Sequence, residues 1–95
     1  MAKVAINGFG RIGRLFFRQA FGNPNLEIVA INDLGDVENL AYLLKYDTVY
    51  GRYGRKVEVK NGNLVVEGNT VQVIQIKNPA ELPWKDLAID IVVEA

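Results

Sequence analysis

The chain predicts an α/β fold built on a doubly wound parallel sheet, with a small antiparallel excursion in its second half. Three observations lead there. The apolar runs around Val4–Ile6 and Glu27–Asn32 alternate with two stretches of helical periodicity, so the first half reads strand–helix–strand–helix. That alternation marks a parallel sheet made of right-handed crossovers. Asn61-Gly62 then joins two short runs, a hairpin signal because both residue types tolerate positive φ. Finally, Ile89-Asp90-Ile91-Val92-Val93 is nearly unbroken in its apolar character, as suits a strand buried on both faces.

Taken in order, Lys3–Asn7 is the expected first strand, with Val4 and Ile6 as its β-branched bulk. Gly8 to Gly13 is a tight glycine-rich turn. From Arg11 the spacing becomes helical: Ile12, Leu15, Phe16 and Gln19/Ala20 form the apolar stripe, while Arg11, Arg14 and Arg18 gather on another face. That basic face reads as a solvated or salt-bridging surface rather than a phosphate clamp. Gly22 stands where a left-handed helix stop is wanted, and Pro24 prevents continuation. Glu27–Asn32 is the second strand. A second helix is expected from Asp36, a good N-cap, with Val37, Leu40, Ala41 and Leu44 at i, i+3, i+4 and i+7. Lys56–Lys60 and Leu64–Glu67 are the hairpin strands, Gly68-Asn69 is a second turn, and Thr70–Ile76 is a third strand returning to the parallel sheet. Asn78–Trp84, with two prolines, allows at most a short helical turn, and Trp84 reads as a packing anchor.

Composition narrows the functional classes. Eleven basic residues balance eleven acidic ones, so charge gives no reason to expect nucleic acid or an anionic membrane as partner. The 95 residues contain no cysteine and no histidine. A disulfide framework is excluded, and no nucleophile–base pair can be assembled. Asp86 and Asp90 read as surface or strand-end residues, not as a paired-carboxylate site. No signal peptide or membrane-length apolar stretch is present, so a soluble protein of the cytoplasm is expected.

Gly8-Phe9-Gly10-Arg11-Ile12-Gly13 carries the functional signal, as G-x-G-x-x-G. In the dinucleotide-binding version of this motif each glycine has its own task. Gly8 permits the sharp turn out of the strand, Gly10 keeps the backbone open to a pyrophosphate, and Gly13 lets the helix pack close to the sheet. The first N–H groups of the helix, around Arg11 and Ile12, have no partner within it and attract anions. The hexapeptide alone is a weak signal. Here it follows a strand, opens a helix, and is followed by a second strand ending in Asp33, 20 residues beyond Gly13. That spacing suits a carboxylate that accepts from the adenosine ribose diol. Asp33 could also simply close the turn Asn32-Asp33-Leu34-Gly35. Lys77 follows the third strand and lies on the ligand edge of the sheet, where it could approach the adenine or be plain surface charge. Together these features point to a Rossmann-type sheet that binds a dinucleotide.

The residues also resemble a known family. Ala5-Ile6-Asn7-Gly8-Phe9-Gly10-Arg11-Ile12-Gly13-Arg14 is similar to the N-terminus of phosphorylating glyceraldehyde-3-phosphate dehydrogenases. Asn32-Asp33-Leu34, the stretch Leu44-Lys45-Tyr46-Asp47-Thr48-Val49-Tyr50-Gly51, and Trp84 followed by Ile91-Val92-Val93-Glu94 fit in the same order. The resemblance implies NAD as cofactor, with Asn7, Gly8, Phe9, Gly10, Arg11, Ile12, Gly13, Asn32, Asp33 and Lys77 around it. It places the pyrophosphate on the backbone at Arg11 and Ile12, the ribose on Asp33 and the adenine beside Lys77. Arginine is frequent at this last position in the family, so Lys77 is a mild departure.

For the complete enzyme, the resemblance implies oxidation of glyceraldehyde 3-phosphate to 1,3-bisphosphoglycerate in glycolysis, with phosphate as co-substrate, by a homotetramer. The catalytic cysteine and histidine would lie downstream. Residues 1–95 are accordingly expected to be the N-terminal part of an NAD-binding domain, incomplete at the C-terminus, with the catalytic domain absent and no activity of its own. The sister enzyme erythrose-4-phosphate dehydrogenase and a free-standing nucleotide-binding module are the alternatives.

Overall fold

The computed structural model describes residues 2–47, 51–52 and 54–95. The chain runs β1 (Ala2–Asn7), α1 (Arg11–Ala20), β2 (Leu26–Asn32), α2 (Val37–Lys45), β3 (Tyr46–Asp47), β4 (Gly51–Arg52), β5 (Val57–Lys60), β6 (Asn63–Val66), β7 (Asn69–Ile74) and β8 (Ile91–Glu94), with a 3₁₀ turn at Pro79–Glu81. Six strands form one mixed sheet in the order β5-β6-β7-β2-β1-β8. β1 pairs in parallel with both β2 and β8, and β2 pairs in parallel with β7. β6 runs antiparallel to both β5 and β7. β3 and β4 make a separate antiparallel pair. Of the stretch that resembles the dehydrogenases, Thr48, Val49 and Tyr50 lie outside the described residues.

Counted along the chain, the parallel strands β1, β2, β7 and β8 lie in the spatial order third-second-first-fourth. This is one half of a Rossmann-type α/β sheet, with its reversal of strand order between β1 and β8. Both helices pack into the larger core. There Phe17 and Ala20 of α1 join Val4, Ile6, Ile28 and Ile31 of the sheet, while α2, with Leu40, Ala41 and Leu44, packs on β5 and β6, which supply Val57, Leu64 and Val66. Ile28 and Ile31 share this face because the β1–β2 register shifts between Val4 and Ala5, leaving Val29 as the extra residue. The smaller core, on Ala5, Ala30 and Ile74, is covered by Ile76, Leu82, Trp84, Leu87 and Ile89. Trp84 is thus a packing residue, as expected.

Three local expectations are corrected. The stripe of α1 is not the one headed by Ile12, which is 70% exposed; Gly13, Phe17 and Ala20 face the sheet instead. A glycine is what allows the helix to sit so close: a Cβ on Gly13 would come within 2.3 Å of the Gly8 carbonyl oxygen. The second tight turn is Glu67-Gly68, both at positive φ (52° and 80°), rather than Gly68-Asn69. Val66 pairs with Asn69 and Leu64 with Val71, a register that buries Leu64, Val66 and Val71 on one face. A slip of one residue would turn that set outward. β8, finally, lies at the edge of the sheet that these 95 residues form, with Ile91 45% exposed, where burial on both faces is the expectation. The turn at Asn61-Gly62 is as expected, with φ of 54° and 78°.

Candidate functional site

The carboxyl ends of the four parallel strands open into a cleft of about 440 Å³. Asn7 and Gly8 after β1 and Asn32, Asp33 and Leu34 after β2 form one side. Ile76 and Lys77 beyond β7, with Glu94 and Ala95 at the end of β8, complete it. In open α/β sheets the crevice outside the strand ends, at the reversal of strand order, is where ligands bind.

The glycine loop is shaped by three different constraints. Gly8 has φ +96°, and a Cβ there would meet the Ala95 carbonyl oxygen at 2.5 Å, so both conformation and space require glycine. Gly13 is required by the helix contact described above. Gly10 differs: a Cβ built on it meets nothing within 4 Å. Protein packing therefore does not demand glycine at this position, and the open space is what a bound pyrophosphate would need. Gly10 is also the N-cap of α1, where no side chain caps the helix and no acidic residue occupies the first turn. The start of α1, with Arg11 and Ile12 exposed, thus has neither a capping side chain nor an acidic residue of its own against its partial positive charge.

Phe9 turns the other way. Its ring is 1% exposed and meets Phe17 edge-on at 5.8 Å, so it contributes to this site only through its backbone. The Phe9 N–H donates to Asp33 Oδ2 at 2.8 Å, and Arg14 Nη1 donates to the Phe9 carbonyl at 3.1 Å. Asp33 Oδ1 accepts the N–H of Gly35 at 2.8 Å. The carboxylate therefore closes the turn after β2 and also reaches the glycine loop. Each oxygen keeps acceptor capacity, since an ionised carboxylate offers about four lone-pair sites.

Asn32 is buried, at 7% exposed, and its amide is used within the protein. Nδ2 donates to Asn7 Oδ1 (3.0 Å) and to the Ile76 carbonyl (3.1 Å), and Oδ1 accepts the Ile76 N–H (3.0 Å). The amide thereby stands in for a strand where β7 has ended, and it fixes the segment that carries Lys77. Asn7 Nδ2 continues the chain of bonds to Glu94 Oε2 at 2.9 Å. Asn7 and Asn32 are thus braces of the strand ends. Lys77 is exposed on the rim of the cleft.

The basic face of α1 is not simply solvated. Arg14 and Arg18 are half-buried, and Arg18 Nη2 donates to the Leu44 carbonyl at 2.6 Å, at the C-terminal end of α2. Glu94 and Leu34 line the cleft without having been singled out as site residues. Following the strand-end rule through to β8 would have found Glu94. Leu34 is an apolar residue after a strand, and nothing in its local pattern marks it.

A reversed parallel sheet, a glycine turn opening a helix and a carboxylate at the end of the second strand define a Rossmann-type dinucleotide-binding domain. Comparison with known proteins gives the particular family. Residues 2–95 match the family described as glyceraldehyde 3-phosphate dehydrogenase, NAD binding domain, and the chain belongs to it. It is 54% identical over 93 residues to glyceraldehyde-3-phosphate dehydrogenase 1 of Nostoc sp., covering 98% of the chain and 27% of that relative. The glyceraldehyde-3-phosphate dehydrogenase of Haemophilus influenzae is 55% identical over 93 residues, with the same coverages. That of Thermotoga maritima is 52% identical over 97 residues, covering 100% of the chain and 29% of the relative. The chain thus spans a little over a quarter of the length of these relatives. Its cofactor is NAD. No helix among the described residues is long and apolar enough to cross a membrane.

Proposed function

We propose that residues 1–95 form the N-terminal part of the NAD-binding domain of an enzyme that oxidises and phosphorylates glyceraldehyde 3-phosphate. The observation that carries this reading is the open space at Gly10, next in the chain to the Phe9 amide that the Asp33 carboxylate holds, at the reversal of strand order. The backbone N–H groups at Arg11 and Ile12 hold the pyrophosphate, Asp33 accepts from the adenosine ribose hydroxyls, and Lys77 flanks the adenine. Bound there, NAD supplies the hydride acceptor for oxidation of the aldehyde. Neither cysteine nor histidine occurs in these 95 residues, so the thiol that attacks the aldehyde and the imidazole that acts as base come from elsewhere in the complete enzyme. That enzyme acts as a homotetramer in the cytoplasm, within glycolysis.

The test is turnover. The complete protein is expected to form NADH from glyceraldehyde 3-phosphate only when phosphate is supplied, and the 95 residues alone are expected to form none. NADH formation by the pure 95-residue chain would refute the assignment of the chemistry to other residues. Faster turnover of erythrose 4-phosphate by the complete protein would move the substrate to the sister enzyme of the family.

A further inference from the structure

We propose that Asp33 and Arg14 position the glycine loop for the pyrophosphate, so that Asp33 serves both ends of the adenosine diphosphate group and not the ribose alone. The ligand arm of this inference rests on the NAD reading above. Phe9 is the one residue between Gly8 and Gly10, and it is gripped at three points. Its ring lies in the core, its N–H donates to Asp33 Oδ2, and its carbonyl accepts from Arg14 Nη1. The first bond sets the plane of the Gly8–Phe9 peptide and the second that of the Phe9–Gly10 peptide. In a trans peptide the N–H points opposite to the C=O. With the Phe9 carbonyl turned to Arg14, the Gly10 N–H is turned away from that guanidinium.

Asp33 is itself held: its Oδ1 receives the Gly35 N–H, and its own N–H donates to the Ile74 carbonyl at 2.9 Å. A loop containing two glycines has many conformations to lose on binding, and holding its planes beforehand removes that cost. Arg14 is a positioning residue only. Asp33 is both a positioning residue and a ribose ligand.

The two parts of Asp33's role separate with an NAD analogue that lacks both adenosine ribose hydroxyls. Dissociation constants are measured on the complete protein for NAD and for this analogue, in wild type, Asp33→Ser and Arg14→Ala. The analogue is expected to bind at least about tenfold more weakly to Asp33→Ser than to wild type, although it has no hydroxyl for Asp33 to accept from. Arg14→Ala should weaken NAD and the analogue by the same factor. Equal affinity of wild type and Asp33→Ser for the analogue overturns the positioning role.

If wild type binds NAD and the analogue equally, the ribose assignment fails, and the loop role is still decided by the variant's ratio. A ligand-free readout stands beside it: the Phe9 amide should exchange with solvent at least about tenfold faster in Asp33→Ser, with the Leu44 amide of α2 unchanged. Unchanged Phe9 exchange overturns the proposal whether or not any nucleotide binds. Should Asp33→Ser loosen the whole domain, the isosteric Asp33→Asn, able to accept at only one of the two positions, replaces it in both measurements.

Discussion

Two clefts open at opposite ends of one sheet, and the smaller is the one we assign to the ligand. The larger, about 630 Å³, lies at the amino ends of β2 and β7 beside Gly22, Pro24 and Glu67. Its guanidinium is already committed: Arg55 donates to the Phe21 carbonyl, pairs with Glu67 at 3.4 Å and sits 5.2 Å from the Phe21 ring centroid. At the carboxyl end, a cleft of about 440 Å³ is lined by Asp33, a carboxylate with acceptor capacity left over. Asp33 holds the Phe9 amide, next to Gly10, whose missing side chain no protein atom replaces, and to the uncapped start of α1. The groups that face a cleft, and not its volume, decide whether it binds.

The sharpest way to break this contrast lies within the glycine loop. Gly10→Val should weaken NAD binding at least about a hundredfold, a cost near 2.7 kcal/mol, because the branched side chain fills the pyrophosphate space. Its melting temperature should stay close to that of wild type, since the new Cβ meets no protein atom within 4 Å. Gly13→Ala should do the reverse and destabilise the fold by about 1–3 kcal/mol through the clash with the Gly8 carbonyl. Calorimetric binding and thermal unfolding of both variants measure this. Unchanged NAD affinity in Gly10→Val would reduce the loop to a structural turn.

Cofactor choice sharpens the same end of the sheet. NADP carries a phosphate where NAD has the 2′-hydroxyl, so Asp33 would lose a donor and face a like charge. Leu34, which follows it, offers no compensating positive group. Preference for NAD over NADP is expected to reach at least about a hundredfold. Asp33→Ser should narrow the gap, because NAD loses its ribose hydroxyl bonds while NADP is relieved of the like charge; loss of the bond at Phe9 weakens both cofactors alike. The four dissociation constants settle it: wild-type affinity for NADP equal to that for NAD would remove Asp33 as the ribose ligand.

At the amino end the expected effect is small. Arg55→Ala should cost about 1 kcal/mol or less in stability, the pair with Glu67 being partly solvent-screened, and should leave NAD affinity where it was. A loss of NAD affinity in that variant would mean that the larger cleft takes part after all.

The existence and type of each major element were readable in the sequence, because local signals agree with the fold there. Val4 and Ile6 before a glycine turn, Gly22 at φ +91°, and Asn61-Gly62 as a two-residue loop each act through their own backbone preferences. The candidate loop, the carboxylate at its fixed distance and the dinucleotide reading came from the same local grammar. Position in space did not. Apolar residues at 12, 15, 16 and 17 give α1 two overlapping stripes, and only the demand that Gly13 lie against β1 selects the face with Phe17. The apolar run of β8 does not say which strand it joins, and it pairs with β1.

Asp33 shows the division best. Its spacing from Gly13 made it a carboxylate at the end of β2, and its neighbours made it a turn former. That one side chain would hold Gly35 and Phe9 together depends on β1 and β2 lying side by side in register, Asn7 against Asn32. The sequence alone determined which chemical groups the strand ends would carry, since those depend on residue type and short-range spacing. The tertiary structure decided which of them meet, because contacts between residues 24 apart or more are set by packing of the whole sheet and by no local preference.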